Sequence, residues 1–201
     1  MIIGLTGGIA TGKSTVASFI EAEGIPIVDA DIVAREVVLP QEEAYERIVA
    51  KFGSGIVRAD KMLNREKLGE IVFRDETMRK KLNEIVHPAV RERMKQQADK
   101  LKQMGHPLIV LDIPLLIESD LFHMVDKVLL VYVSSDIQLK RLMERNGYSE
   151  EEASQRIEAQ ISISEKKLDS RVSNIIDNSG TLTETKNQVR ELLHKWRQKE
   201  R

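Results

Sequence analysis

The sequence predicts an α/β fold, a five-stranded parallel sheet flanked by helices. Three observations lead there: five short apolar segments, helix-length amphipathic stretches between them, and a glycine-rich junction directly after the first segment. The segments are Ile2 to Thr6, Ile25 to Val28, Leu108 to Asp112, Lys127 to Val133, and Asn174 to Asp177. Most lack strict alternation, as strands buried on both faces do.

The first helix should run from about Lys13 to Glu23 and stop at Gly24, a residue suited to the left-handed cap position. Ser135 with Gln138, Ser149 with Glu152, and Thr181 with Glu184 match capping-box spacing and mark three later helix starts. The stretch from Val28 to Leu108 is too long for one crossover helix and should hold a helical insertion. Within it, Leu82, Ile85, Val86, Ala89, Val90, Met94, Ala98 and Leu101 form the stripe of a long amphipathic helix. Pro88 interrupts the stripe, so a break or kink is expected at His87-Pro88. Val189, Leu192, Leu193 and Trp196 read as the buried face of a C-terminal helix, and Lys195 to Arg201 as a frayed polar tail.

Composition narrows the function classes. The 201 residues carry 31 Lys+Arg against 32 Asp+Glu, a formal net charge of −1 that disfavours extended binding to nucleic acid. The absence of Cys removes disulfides, thiolate metal sites and cysteine nucleophiles. His87, His106, His123 and His194 are too dispersed for a local metal cluster. The start Met1-Ile2-Ile3-Gly4-Leu5 has no signal-peptide character, and the apolar run Leu108 to Ile117 is too short to span a bilayer. A soluble cytoplasmic protein without membrane contact is expected. The neutral total conceals nine Lys/Arg against five Asp/Glu between Arg74 and Lys102.

The strongest motif is Gly7-Gly8-Ile9-Ala10-Thr11-Gly12-Lys13-Ser14, a complete GxxxxGK[ST] between a predicted strand and a predicted helix. That context fits a P-loop NTPase-type core, because backbone N–H groups at the helix start can converge on phosphate oxygens. Lys13 can reach the β- and γ-phosphates, and the Ser14 hydroxyl can ligate Mg²⁺. No NKxD motif is present, and the single DxxG, Asp177 to Gly180, lies near the C-terminus, which disfavours a GTPase. A small-molecule kinase fits the length.

Asp29-Ala30-Asp31 follows the second strand, with Arg35 four residues beyond Asp31. Ligands of parallel α/β sheets sit beyond the carboxyl ends of strands. A carboxylate there can accept the proton of an attacking hydroxyl or hold Mg²⁺. Asp31 and Arg35 can also pair on one helix face, and an aspartate can simply cap the helix.

Gly4-Leu5-Thr6-Gly7-Gly8-Ile9 leading into Thr11-Gly12-Lys13-Ser14-Thr15, followed by Asp29-Ala30-Asp31 and Ala34-Arg35, resembles the dephospho-coenzyme A kinase family. Further matches follow in family order: Leu63-Asn64-Arg65, Val72-Phe73, His87-Pro88, Pro114-Leu115-Leu116 with Glu118, the Arg141 to Arg145 stretch, Ala159-Gln160, and Ile176 to Gly180. The resemblance implies transfer of the ATP γ-phosphoryl group to the 3′-hydroxyl of 3′-dephospho-coenzyme A, with Mg²⁺, as the final step of coenzyme A synthesis. It implies Asp31 as base, Arg35 beside the acceptor or the carboxylate, and Arg65 and His87 in the acceptor-binding subdomain. Arg141 and Arg145 would belong to a lid over ATP, while Asn178 and Gly180 would lie at the adenine. Residues 10–15, Ala10, Thr11, Gly12, Lys13, Ser14 and Thr15, would cradle the phosphates.

The expected organisation is a single domain over 1–201. Residues 1–31, 107–136 and 169–201 would form the core, 32–106 the helical acceptor-binding insertion and 137–168 the lid region. Ala10 stands where this family commonly carries glycine, and Thr11 where it commonly carries serine. Asp112 ends a strand as a metal-organising aspartate would, and it ranks below Asp31 as a catalytic candidate. Another small-molecule kinase, such as a nucleoside monophosphate kinase, and a non-catalytic nucleotide-binding module are the alternatives.

Overall fold

A computed structural model describes residues 1–199. Its elements in chain order are β1 (Ile2–Gly7), α1 (Lys13–Ala22), β2 (Ile27–Asp29), α2 (Ala30–Glu36), α3 (Glu43–Phe52), α4 (Arg65–Arg74) and α5 (Glu76–Gln103). β3 (Ile109–Asp112), β4 (Lys127–Tyr132), α6 (Ser135–Asn146), α7 (Glu150–Glu158), α8 (Ile163–Leu168), β5 (Asn174–Asp177) and α9 (Leu182–Lys199) complete the order. The strands form one sheet in the order β2-β3-β1-β4-β5. β1 pairs in parallel with both β3 and β4, and β4 pairs in parallel with β5. The glycine-rich loop therefore leaves the central strand at its carboxyl end, flanked by the ends of β3 and β4.

The chain divides into two compact units, Met1–Val28 with Ala98–Arg201, and Asp29–Gln97. Each has its own core. In the first, Ile3, Leu5, Val110, Leu129 and Val131 from the sheet pack with Val16 and Ile20 of α1 and with Val189, Leu193 and Trp196 of α9. In the second, Ala44 and Ile48 of α3, Leu68 of α4 and Ile85 of α5 close around Ile56 and Leu63. None of the described helices is long and apolar enough to cross a membrane.

The local signals for α1 work as expected. Gly24 adopts φ 77°. Its N–H donates to Glu21 O at 2.8 Å, and Ile25 N donates to Ile20 O at 3.4 Å. This pairing closes the last turn in a Schellman motif. Ser149 and Glu152 form a capping box at α7, and Thr181 and Glu184 exchange the same bonds before α9.

Three expectations are corrected. Ser134, not Ser135, caps α6, and it does so without a side-chain bond. Gln138 is only 2% exposed, and its amide donates to Ile9 O instead of closing a box. A buried amide must be hydrogen-bonded, and the loop carbonyl supplies the acceptor. Second, of the break or kink expected at His87-Pro88, the break does not occur, because α5 continues through Pro88. Burial of Ile85 and partial burial of Leu82, Val86 and Ala89 outweigh a proline penalty of about 3 kcal/mol. Third, α9 runs to Lys199, and Arg197 Nη2 donates to Glu23 O at 2.6 Å, so the expected tail is helical there. The remainder of that tail, residues 200–201, lies outside the described residues.

A third capping box, Ser162 with Glu165, starts the six-residue α8 and escaped the sequence reading. The Ser162 hydroxyl, and next its backbone N–H, hold the Glu165 carboxyl below its ordinary value. A depressed folded value gives stability that is complete above the unfolded carboxylate value and is lost as pH falls through the folded one. Glu165→Gln should therefore unfold at lower urea than the parent at neutral pH, with the gap closing on acidification through the carboxylate range. A gap that stays constant with pH would show that the charge contributes nothing.

Candidate active site

The loop between β1 and α1 has a defined backbone polarity. Gly12 caps α1 at φ 84°, and no side chain caps the first turn of that helix. A Cβ on Gly12 would lie 2.1 Å from Asn178 Nδ2, so both conformation and space require glycine. Thr11 N and Thr11 Oγ1 both donate to Gly8 O, at 3.3 and 2.9 Å. Ile9 N donates to Gln160 Oε1 at 3.0 Å. The amides of Ala10, Gly12, Lys13 and Ser14 take no partner among the described residues. Four unpaired donors at the head of a ten-residue helix are the receptor an anion needs.

Charge at this loop is balanced by a strand end. Lys13 Nζ donates to the carboxylate of Asp112, which is 4% exposed. Asp112 closes β3 opposite Leu5 of β1. Thr6 Oγ1 donates to Pro114 O at 3.0 Å and ties the segment after β3 to the same strand. Ser14 lies exposed on the first turn of α1. The Asp112 carboxylate and the Ser14 hydroxyl are hard oxygen donors, the kind Mg²⁺ takes together with phosphate oxygens. Among the described residues no group of three His, Cys, Asp or Glu could hold a metal, so an ion here would depend on the nucleotide for further ligands.

Arg141 on α6 donates to Asn178 O at 3.0 Å, and its Nη1 lies 3.8 Å from a Cβ placed on Gly12. Arg145 is exposed and donates to its neighbour Asn146 at 2.8 Å. The Asn178 side chain is buried and fully used: Nδ2 donates to Thr11 O at 2.9 Å, and Oδ1 accepts from Thr185 Oγ1 at 2.8 Å. Gly180 is exposed in the loop between β5 and α9. Thr11 is buried, and Thr15 N closes back on Gly12 O at 3.0 Å.

In the unit Asp29–Gln97, the two aspartates separate cleanly. Asp29 Oδ1 accepts from Asp31 N at 2.7 Å and from Ile32 N at 3.1 Å, capping α2. Asp31 stands exposed in the first turn and Arg35 exposed in the last, with no ion pair between them. Arg65 opens α4 behind its cap Asn64 and is exposed. His87 lines an open groove of about 390 Å³ with Lys80, Asn83, Glu84, Pro88 and Arg91. Pro88 cannot donate to the Glu84 carbonyl, which leaves an acceptor on that face of α5.

Sequence reasoning missed the Lys13–Asp112 pair and the loop-holding roles of Gln138, Gln160 and Lys166. A signal existed for two of them. Gln138 shares the buried face of α6 with Leu142, and Lys166 that of α8 with Ile163. Polar residues on an apolar stripe need a partner.

A family model described as dephospho-CoA kinase matches residues 1–184. The chain is 56% identical over 195 residues to the dephospho-CoA kinase of Shouchella clausii, covering 97% of this chain and 98% of that one. It is 55% identical over 197 residues to that of Halalkalibacterium halodurans, covering 98% and 97%. Among solved structures, the dephospho-CoA kinase from Campylobacter jejuni matches with a TM-score of 0.75 and 28% identity, over 96% of this chain and 95% of that one.

Ala10 adopts φ 58°, the left-handed region that favours glycine. An L-residue there costs about 1 kcal/mol or more. Ala10→Gly should raise the urea midpoint by the equivalent of roughly 1 kcal/mol. A midpoint that falls would mean that the loop does not hold this conformation in solution.

Proposed function

Because the chain belongs to the dephospho-CoA kinase family and is thus an ATP-dependent phosphotransferase acting on dephospho-CoA, we propose how its residues divide that work. The observation that carries this reading is the row of unpaired amides at the head of α1 beside Lys13. Those amides and the Lys13 ammonium hold the β- and γ-phosphates of ATP. Lys13 leaves Asp112 for the nucleotide, and Asp112 and Ser14 then face the ion that accompanies it. Mg²⁺ supplies charge neutralisation on the phosphate oxygens when bound.

Asp31 is the base. Asp29 is spent on capping α2, while the Asp31 carboxylate stays exposed and free of a competing ion pair. It takes the proton of the acceptor 3′-hydroxyl as that oxygen attacks the γ-phosphorus and the bond to the β-phosphate oxygen breaks, giving coenzyme A and ADP. Arg35 steadies the acceptor or this carboxylate. Arg65, His87 and the basic groove of α5 receive the anionic acceptor, whose pyrophosphate suits Lys80 and Arg91. Arg141, already beside Gly12, neutralises charge on the transferring group, and Arg145 joins it when the exposed part of the 137–168 lid region closes. The Asn178 side chain braces the loop, so contact with adenine falls to backbone atoms around Gly180.

Asp31→Asn should lower kcat about 10²- to 10⁴-fold, with little change in the KM for dephospho-CoA. Undiminished turnover would remove Asp31 from the base role. Lys13→Ala should lower kcat/KM for ATP, whereas an unchanged value would reject the phosphate contact. Mass analysis of the product after incubation with ATP, Mg²⁺ and dephospho-CoA should give coenzyme A. A chain that phosphorylates a nucleoside monophosphate instead would contradict the acceptor assignment.

A further inference from the structure

Three alternate carbonyls of the phosphate loop are each held by a buried side-chain donor. Lys166 Nζ donates to Gly7 O at 3.1 Å, Gln138 Nε2 to Ile9 O at 2.8 Å, and Asn178 Nδ2 to Thr11 O at 2.9 Å. The donors are 0%, 2% and 4% exposed. A trans peptide points its carbonyl and the following N–H in opposite directions. The amides opposite the Ile9 and Thr11 carbonyls belong to Ala10 and Gly12, and neither has a partner among the described residues. The Gly8 amide, opposite Gly7 O, faces β4 at the Gly7–Val131 end of the ladder. Holding the Ile9 and Thr11 carbonyls thus aims the Ala10 and Gly12 amides away from those donors, and holding Gly7 O fixes the peptide from which the loop leaves β1.

Lys166 is the unexpected member of the set. Its ammonium lies 2.6 Å from Glu118 Oε1 with no exposure of its side chain. Both Glu118 oxygens are buried, and the Lys166 ammonium is the charge that balances them. Burying such a pair is poor value for stability compared with apolar residues of similar size. A neutral donor would also satisfy the Gly7 carbonyl. A charged donor makes the stronger and more directional bond.

We propose that Lys166, neutralised by Glu118, is a positioning residue that fixes the Gly7 peptide, and that with Gln138 and Asn178 it sets the direction of the phosphate-binding amides. The proposal deepens the assignment of this loop to ATP and rests on it. Lys166 and Gln138 lie on α8 and α6, so the stretch between β4 and β5 does more than supply arginines. It registers the loop.

The test compares Lys166→Met with the double variant Lys166→Met, Glu118→Leu, measuring thermal midpoint, kcat, KM for each substrate and direct ATP binding. The single variant strands a buried carboxylate and should lose both midpoint and ATP affinity. The double variant removes both charges and should recover the midpoint while its ATP affinity stays about tenfold weaker, with the KM for dephospho-CoA unchanged. Recovery of wild-type ATP affinity together with the midpoint would overturn the proposal and leave the pair a packing element. Equal losses for both substrates would overturn it as well. A parent chain that binds no ATP would instead overturn the assignment of the loop, and the positioning role with it.

Discussion

A phosphate group can be bound by peptide amides only if the carbonyls of the same peptides are turned away from it. In this chain that constraint organises everything around β1 and α1. The carbonyls of Gly7, Gly8, Ile9, Thr11 and Gly12 all accept hydrogen bonds from the protein. The donors arrive from α6, α8 and the loop after β5 as well as from the loop itself. The left-handed conformations of Ala10 and Gly12 are the backbone's share of the same task. Ala10 and Gly12 are thereby left with free amides, next to those of Lys13 and Ser14.

The sheet order makes this convergence possible. With β1 central, the end of β3 brings Asp112 to Lys13, and the segments following β4 and β5 bring Gln138, Arg141 and Asn178 to the loop. Arg141 and Asn178 are joined by a hydrogen bond, so the arginine assigned to the transferring phosphate is anchored through the residue that braces Thr11. The paired cations and anions are also why a chain with net charge −1 can carry a phosphate site. In the first unit, Lys13 and Lys166 are each balanced by a carboxylate.

Much of this was legible in the sequence, because its clearest signals are local. The five strands, the glycine stop at residue 24 and the capping boxes of α7 and α9 follow from periodicity and spacing over a few residues. The GxxxxGK[ST] spacing marked the loop, and ordered matches along the chain marked the family. What stayed hidden depends on neighbours distant in sequence. Lys13 and Asp112 are brought together by strand order, not by any spacing. Gln138 fits a capping-box pattern as well as it fits its observed role, and only the Ile9 carbonyl decides between them. Pro88 obeys the rule for a helix break until the packing of Ile85 and its neighbours is counted. Asp29 and Asp31 are equivalent in the sequence, and the cap of α2 is what distinguishes them.

The central claim is that the loop's polarity is built before nucleotide arrives. Hydrogen exchange resolved at individual amides, with and without ATP, tests it most directly. In the ligand-free chain, Ile9 and Thr11 should already exchange slowly, because Gln160 and Gly8 hold their N–H groups. Ala10 and Gly12 should exchange fast and become protected when ATP binds. Equal exchange at all four amides in the ligand-free chain, or no protection of Ala10 and Gly12 with ATP, would contradict the account.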